Sequence, residues 1–581
     1  MTTDFDGIHA LASLDGAPLR ASDLAVLGLV TRDTPPGDFT AMLRDAGHAS
    51  PVTGCQALLG HIDEPAALAA TLGLAPTTPP ADLILAALAR YGDDTPMRVG
   101  GEWSFLHWDA PARAMTLMVA DTARDALCFT ADTRRVAVAP HVRTLRAIDG
   151  VDAMPDPARL LLHLGRGPAR AIIGDRTILR DVQRVAAGTR VRITRDGVRV
   201  GKRAELPEPT PWRGSFAEAI EAIEAVLHTI LRQQMARHPA AATMLSGGLD
   251  SSLVAAFAAA TRGEGGSLVA LTSAAPAGSG LRDETAQARA VAAQLGIPAV
   301  AVVPEPDADA YRLSRAMLDS VDHPLASQRH YVYDALYRAA ADRGASAILD
   351  GSDGELTVTG YRDIDGWRGW ARWLRDRARH ARTPDGDLLR DAFHVRLSVP
   401  ALAIADTALA DELAAAHHAA QWRRGRVLGY PMSVIAKNRS VTTATPLPGL
   451  RHLAPFRDRR LLTLCAGLPV RFLTHGGLTR APGRALLAGK VPESIRLRRD
   501  LLPFSPDYPD RLVRDAPRAR ARIAGYAAAG VGDWIDLAWL DTALAAVARG
   551  DDRTFDPTQV QATAMAAAFL ADWMAGPSPR E

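Results

Sequence analysis

Lysine is almost missing from this chain. Its 581 residues include 67 Lys and Arg, yet only Lys202, Lys437 and Lys490 are lysines. Its positive charge is therefore nearly all guanidinium, which is permanently charged and unable to act as a base. The 65 acidic residues are interspersed and the net charge is only +2, so no basic surface for nucleic acid is indicated. With so much Ala, Arg and Gly, the bias reads as that of a GC-rich genome. Cysteine is also sparse. Cys55, Cys128 and Cys465 are far apart, which excludes a disulfide framework and Cys-based metal spacing and fits a reducing cytoplasm. No stretch reaches the ~18 uninterrupted apolar residues of a membrane span. The Ala-rich run from Pro400 to Ala420 is broken by Asp406, Asp411 and Glu412 and reads as a soluble helix. The opening MTTDFDGIHA lacks a basic-then-apolar signal segment, so a cytoplasmic location is expected.

What is present separates into two parts. The chain is too long for one core. "GEWSFLHWD" (Gly101 to Asp109), "AMTLMVAD" (Ala114 to Asp121) and "RVAVAP" (Arg135 to Pro140) have strand length and alternation. "GTRVRITRDGVRV" reads as a hairpin turning at Asp196-Gly197. The Pro- and Gly-bearing "ELPEPTPWRGS" then marks a boundary, giving expected domains of 1–206 and 214–581. Beyond it, "SFAEAIEAIEAVLHTILRQQMARH" is a helix with a Ser start, and "AATML" a short buried strand. "SLVALTSA", "AVAVV" and "SAILDG" are further strands, alternating with helices that close at Gly263, Gly296 and Gly344. The fold class expected is α/β: a mostly antiparallel first domain, then a doubly wound parallel sheet that turns predominantly helical beyond residue 365.

The string SGGLDSS (246–252) follows directly on a predicted strand. Gly247 and Gly248 let the backbone approach an anion, and the hydroxyls of Ser246, Ser251 and Ser252 flank it. The following helix points its N–H groups and positive dipole end at the same place. No lysine follows a second glycine, so this is not the pattern that tracks a γ-phosphate. Asp250 suits Mg²⁺ shared with phosphate oxygens.

That string resembles the pyrophosphate loop of the ATP-pyrophosphatase superfamily, in the form used by its asparagine synthetase branch. "VGGEWSFLHWDAPARAMTLMVAD", "DETAQARAVAAQLGIP", "ILDGSDGELTVTGY" and "APFRD" are similar to further segments of that family, in the same order. "TILRDVQRVAAGTRVRI" is similar too, without the family's two prolines. The resemblance implies a glutaminase-like, N-terminal-nucleophile sandwich followed by an ATP-binding adenylating domain. It implies ATP and Mg²⁺, cleavage between the α- and β-phosphates, and adenylation of a carboxylate. By position it implies pyrophosphate and Mg²⁺ contacts at Ser246, Gly247, Gly248, Asp250, Ser251 and Ser252. Leu245 and Leu271 would line the adenosine pocket, and Asp350 and Gly351 would meet the nucleotide by their backbone. The family's second Mg²⁺-binding Asp falls on Glu355, with Asp353 a rival.

The departures bear on substrate. Glutamine-dependent members expose an N-terminal cysteine nucleophile, whereas Thr2 stands here and no Cys precedes Cys55, so the first domain reads as inactive. "LRHLAPFRD" places Arg451 and Leu453 where the family has Glu and Arg, and Leu501 falls at its late lysine. Arg498 and Arg499 are the candidate replacements there, with Lys437 a weaker one, and Tyr361 closes the second loop. Cysteine-less relatives include β-lactam synthetases, whose Tyr–Glu pair lacks its Glu at Arg451, and lasso-peptide cyclases. The expectation is a lasso-cyclase-like enzyme. It would adenylate an Asp or Glu side chain of a core peptide and close a macrolactam on the peptide's N-terminal amine. Its partners would be the processed precursor peptide and a leader peptidase or leader-binding protein, with no nucleic acid and no membrane span. The alternatives are an asparagine synthetase or β-lactam-synthetase-like enzyme on a small acid, and a non-catalytic nucleotide-binding scaffold. His417-His418 lacks metal-ligand partners, Gly278–Gly280 reads as a loop, and Trp367, Trp370 and Trp373 read as packing.

Overall fold

The computed structural model describes residues 7–29, 38–45, 48–52, 54–123, 127–165, 172–201, 209–324, 327–360, 393–412, 447, 449–500, 502–551 and 553–576. Thr2, Tyr361, the three tryptophans 367, 370 and 373, the histidine pair 417–418, Lys437 and Leu501 lie outside them.

The first part is two antiparallel sheets. One has the order β3 (His48–Pro51), β2 (Phe39–Asp45), β1 (Gly7–Ser13), β8 (Arg135–Ala139), β7 (Cys128–Ala131), β9 (Gln183–Arg184). The other runs β11 (Gly197–Val200), β10 (Thr189–Thr194), β6 (Ala114–Val119), β5 (Gly101–Asp109), β4 (Gln56–Ile62). Inward residues of both sheets, among them Ile8, Val138, Trp103, Phe105, Leu117 and Ile193, share one buried cluster. That common core makes the pair a sandwich. Strands β5, β6 and β8 are those read from the sequence. The β10–β11 hairpin also forms, but Thr194 pairs with Gly197, so Arg195 and Asp196 make the turn, one residue earlier than read.

In the second part, β14 (Ala299–Val302), β13 (Ser267–Ser273), β12 (Ala240–Met244), β15 (Ala347–Leu349) and β16 (Arg451–Leu453) lie in that order. Every neighbouring pair is parallel. Winding goes one way from β12 to β13 and β14 and the other way to β15 and β16. The topological switch point therefore falls between β12 and β15, where ligands bind in such sheets. The helix Phe216–Arg237 leads into β12 with a full capping box, the Ser215 hydroxyl accepting from Glu218 N and the Glu218 carboxylate accepting from Ser215 N. Gly296 closes the helix Thr285–Leu295 in a left-handed conformation, as its position after the apolar periodicity implied. Among the described residues no helix is long and apolar enough to cross a membrane.

A third core joins the two parts. Leu145, Leu161 and Leu162 of the first pack with Leu512, Phe569 and Trp573 of the helical carboxy-terminal region. A buried charge is set into this junction. Asp322 accepts a hydrogen bond from Val142 N at 3.1 Å, with His141 3.7 Å and Arg184 4.0 Å away. Burial alone would push the Asp322 carboxyl up, but His141 and Arg184 together outweigh it and hold it at about 2. Asp322→Ala removes the negative charge that compensates buried Arg184, and a loss of roughly 3–5 kcal/mol is expected from denaturant unfolding. In the wild type the contribution of this carboxylate is present above its unfolded pKa of ~3.9 and fades as the pH falls toward 2.

Candidate active site

The loop after β12 is pre-shaped by its own side chains. Gly247 takes a left-handed φ of 71°, and a Cβ there would stand 2.5 Å from Gln287 Cβ, so only glycine fits. The Ser251 hydroxyl accepts from Ser246 N at 3.1 Å and lies 3.0 Å from the Ser246 hydroxyl, which accepts from Gly248 N at 3.2 Å. Gly248 caps the helix Leu249–Thr261, whose first turn carries Asp250. The result is an anion-sized concavity at a helix N-terminus. Ser252 differs from its neighbours: it is fully buried and its hydroxyl lies outside the cavity lining.

The second loop, after β15, touches the first. A Cβ on Gly351 would meet Ser251 N at 2.8 Å, and one on Gly354 would meet Asp250 Oδ1 at 1.9 Å. Two glycines thus permit a contact that any side chain would block. Thr359 donates its hydroxyl to Asp250 Oδ1. Asp353 is left-handed at φ 70° and forms an ion pair with Arg457, whereas the exposed Glu355 acts electrostatically on Asp250. Of the two carboxylates in this loop expected to hold a cation, Asp353 is engaged by Arg457 and Glu355 faces the Asp250 charge.

The two loops floor a cavity of about 940 Å³. It gathers Leu245, Ser246, Gly247, Gly248, Asp250, Ser251, Leu271, Asp350, Gly351, Asp353 and Glu355 with Arg498 and Arg499, residues that the sequence motifs named separately. Ladder bonds fix the two leucines: Leu245 N donates to Leu271 O at 2.9 Å, and the Thr272 hydroxyl to Leu245 O at 2.7 Å.

A family model for asparagine synthase matches residues 222–525, more than half of the chain and the whole of this site. The chain belongs to the asparagine synthase family. It is thus an enzyme of a family of ATP-dependent amide ligases. No curated protein matches it. Among solved structures it is similar to the glutamine phosphoribosylpyrophosphate amidotransferase from B. subtilis complexed with ADP and GMP. Identity is 11% over 60% of this chain and 76% of that one, with a TM-score of 0.22. It is also similar to an allosteric regulatory enzyme of purine biosynthesis, at 10% identity over 60% and 69% of the two chains, with a TM-score of 0.23.

Among the described residues of this asparagine synthase site the cations are all arginines. Arg457, Arg480, Arg484, Arg498 and Arg499 line the cavity. Arg484 is a clamp: its guanidinium donates to the carbonyls of Thr479 (2.9 Å), Arg496 and Arg498 (3.0 Å), holding the late segment against the cavity wall. That segment also packs on the second loop, since Gly483 N donates to Val358 O and a Cβ on Gly483 would strike Thr359. Arg498 pairs with Asp500 at 3.0 Å, while its buried Nη2 has no hydrogen-bond partner among the described residues. Arg457, Arg480, Arg484 and Glu284 were missed by sequence reasoning. Arg457 and Glu284 stand inside the quoted APFRD and DETAQ strings, whereas nothing local marks Arg480 or Arg484.

The carboxylates set the electrostatics. Burial first, and then the charge of Glu355, push the Asp250 carboxyl up to about 6, against the opposing pull of Thr359 and Arg480. A cation shared by Asp250, Glu355 and phosphate oxygens would relieve that cost. Asp250 and Glu355 are the carboxylates that would hold such a cation; among the described residues no cluster of three or more potential ligands exists. This donor set fits Mg²⁺, which takes few protein oxygens when a nucleotide supplies the rest. Mg²⁺-dependent ATP binding is expected to weaken as the pH falls through about 6 and to lose that pH dependence in Asp250→Asn. Calorimetry at about pH 5 and about pH 7, roughly one unit either side of the carboxyl, checks this.

Proposed function

We propose that the protein is an AMP-forming macrolactam synthetase of the lasso-peptide cyclase kind. It would adenylate an Asp or Glu side chain of a processed core peptide and close it onto the peptide's own N-terminal amine. The carrying observation is the cavity itself. Its pyrophosphate-type loop is complete, its volume of about 940 Å³ is at the top of the ~300–1,000 Å³ range of small-molecule sites, and β16 carries Arg451, His452 and Leu453 in place of the small-acid signature. Space beyond a nucleotide favours a large, pre-folded acceptor over free aspartate.

The chemistry divides between the two loops. The N–H groups at the head of the helix Leu249–Thr261 and the hydroxyls of Ser246 and Ser251 hold the departing pyrophosphate. Mg²⁺ bound by Asp250 and Glu355 would supply charge neutralisation on the triphosphate. In this reading the permanent positive charge of Arg498 and Arg499, both on the cavity wall, stabilises the negatively charged transition states of both steps. The peptide carboxylate attacks the α-phosphorus, and the amine of the same peptide then displaces AMP, with its high effective concentration supplying much of the rate. In this reading the first domain, residues 1–206, is a glutaminase-like scaffold without amidase activity. Residues 214–581 carry the ligase, and a leader peptidase with a leader-binding protein delivers the peptide in the cytoplasm.

Linear peptides with a free amino terminus and one internal Asp or Glu, incubated with ATP and Mg²⁺, are the test. The expected outcome is release of AMP and pyrophosphate together with a product lighter than the peptide by one water. Conversion of free aspartate and ammonia to asparagine, with no peptide dehydrated, would overturn the cyclase reading in favour of a small-acid synthetase. ATP binding without pyrophosphate release under any of these acids would overturn it in favour of a scaffold.

A further inference from the structure

The cavity contains a carboxylate held in place by two side chains behind it. Asp350 ends β15, and its N–H donates to Leu453 O on β16 at 2.9 Å, so the backbone there is fixed. Its carboxylate accepts from Ser352 N at 3.0 Å and from the Ser352 hydroxyl at 2.6 Å. His452 Nε2, from β16, lies 3.0 Å from Asp350 Oδ2, and the Tyr337 hydroxyl, from the helix His330–Ala341, lies 3.0 Å from His452 Nδ1. The His452 and Asp350 side chains are only 7% and 14% exposed, and the exposed fraction of Asp350 is cavity wall.

An ionised carboxylate only accepts, so Nε2 is the imidazole nitrogen that donates to Asp350. Nδ1 meets the Tyr337 hydroxyl on the other side of the ring. Each member fixes the next, as a base is fixed by an orienting partner.

We propose that Asp350 accepts the proton of the attacking amine, with His452 and Tyr337 as the residues that position it. The proposal rests on the ligase reading above. Sheet order supplies the placement. Leu245 and Leu271 lie at the ends of β12 and β13, so a nucleotide with its base on that side puts its α-phosphorus between the two loops. The acyl carbon and the incoming amine then fall on the β15–β16 side, where Asp350 is. Among the described cavity acids, Asp250 and Glu355 face each other, Asp353 pairs with Arg457 and Asp500 with Arg498, while Glu284 stands after β13 at the head of the helix Thr285–Leu295, where burial pushes its carboxyl up to about 7. Arginine cannot accept a proton. The amine nitrogen bonds to the acyl carbon and the bond from that carbon to the AMP phosphate oxygen breaks. Its electron pair leaves with AMP, and the nitrogen's proton passes to Asp350, which later returns it to water.

Among the described residues, titratable groups face Asp350 from several elements. Tyr333 and Tyr337 face it from the helix His330–Ala341 and His452 from β16, while Asp353 and Glu355 share its loop. Asp250 and Arg457 lie on the adjoining loop and turn, and Arg480, Arg498 and Arg499 lie across the cavity.

Blocking the amine separates the two steps. A peptide with an acetylated amino terminus supports ATP–pyrophosphate exchange but cannot cyclise. In Asp350→Asn, cyclisation of the free peptide is expected to fall by about 10²-fold or more, while exchange with the acetylated peptide and the ATP-induced rise in melting temperature are retained. His452→Leu removes a donor that favours the carboxylate, so the acid limb of the cyclisation rate moves to higher pH, and His452→Gln, which can still donate, recovers part of the loss. Loss of exchange in parallel with cyclisation would overturn the proposal by making Asp350 part of activation or folding. So would an acid limb unmoved in His452→Leu, or a Glu284→Gln variant that alone shows the step-specific loss. Wild-type protein without exchange on any peptide, or on aspartate, would overturn the ligase reading and this proposal with it.

Discussion

The site depends on one close contact, between the head of the helix Leu249–Thr261 and the loop that leaves β15. Gly354 has no side chain because Asp250 Oδ1 occupies the space, and Gly351 has none because Ser251 N does. The contact puts the anion-binding N–H groups and a second carboxylate-bearing loop within reach of one triphosphate. It also buries Asp250, which is why its carboxyl is held up near 6 and why a cation is the natural means of keeping it ionised. A parallel sheet that reverses its winding between β12 and β15 is what brings these two loops side by side.

The arrangement is held from outside by segments distant in sequence. The clamp of Arg484 on three carbonyls and the Gly483–Val358 bond press residues 479–498 onto the second loop. Farther out, the sandwich is locked to the helical carboxy-terminal region by the shared core around Trp573 and by buried Asp322. A sandwich without amidase chemistry would still have this structural use, because it covers apolar surface that the ligase helices would otherwise expose.

Local strings were legible where local chemistry wrote them. SGGLDSS, the Ser215–Glu218 capping box and the Gly296 stop each declare themselves within a few residues, and the alternation of β5 is plain. Strands β1 to β4 were not read, because β1 is buried on both faces and has no alternation, and β2 and β3 are separated by too few turn residues. The hairpin turn was displaced by one residue because Asp-Gly is a turn signal, yet Gly197, at φ 134°, serves as the first strand residue. The arginine wall was hidden for a different reason. Arg480 and Arg484 belong to a short helix and its approach, which the Arg484 clamp to residues 496–498 and the Gly483–Val358 bond bring to the cavity. His452 carries no local signal, because its partners Asp350 and Tyr337 are more than 100 residues away.

A ligase of this kind must both neutralise negative charge and dispose of a proton, and a lysine can take part in either task. Arginine can do only the first. Among the described residues the cavity's cations are Arg457, Arg480, Arg484, Arg498 and Arg499, so in the reading proposed above the two functions are separated. Charge stabilisation stays with guanidinium groups that no accessible pH will discharge. In that same reading, proton transfer then falls to a carboxylate, and His452, backed by the Tyr337 hydroxyl, is placed to orient Asp350 through a hydrogen bond.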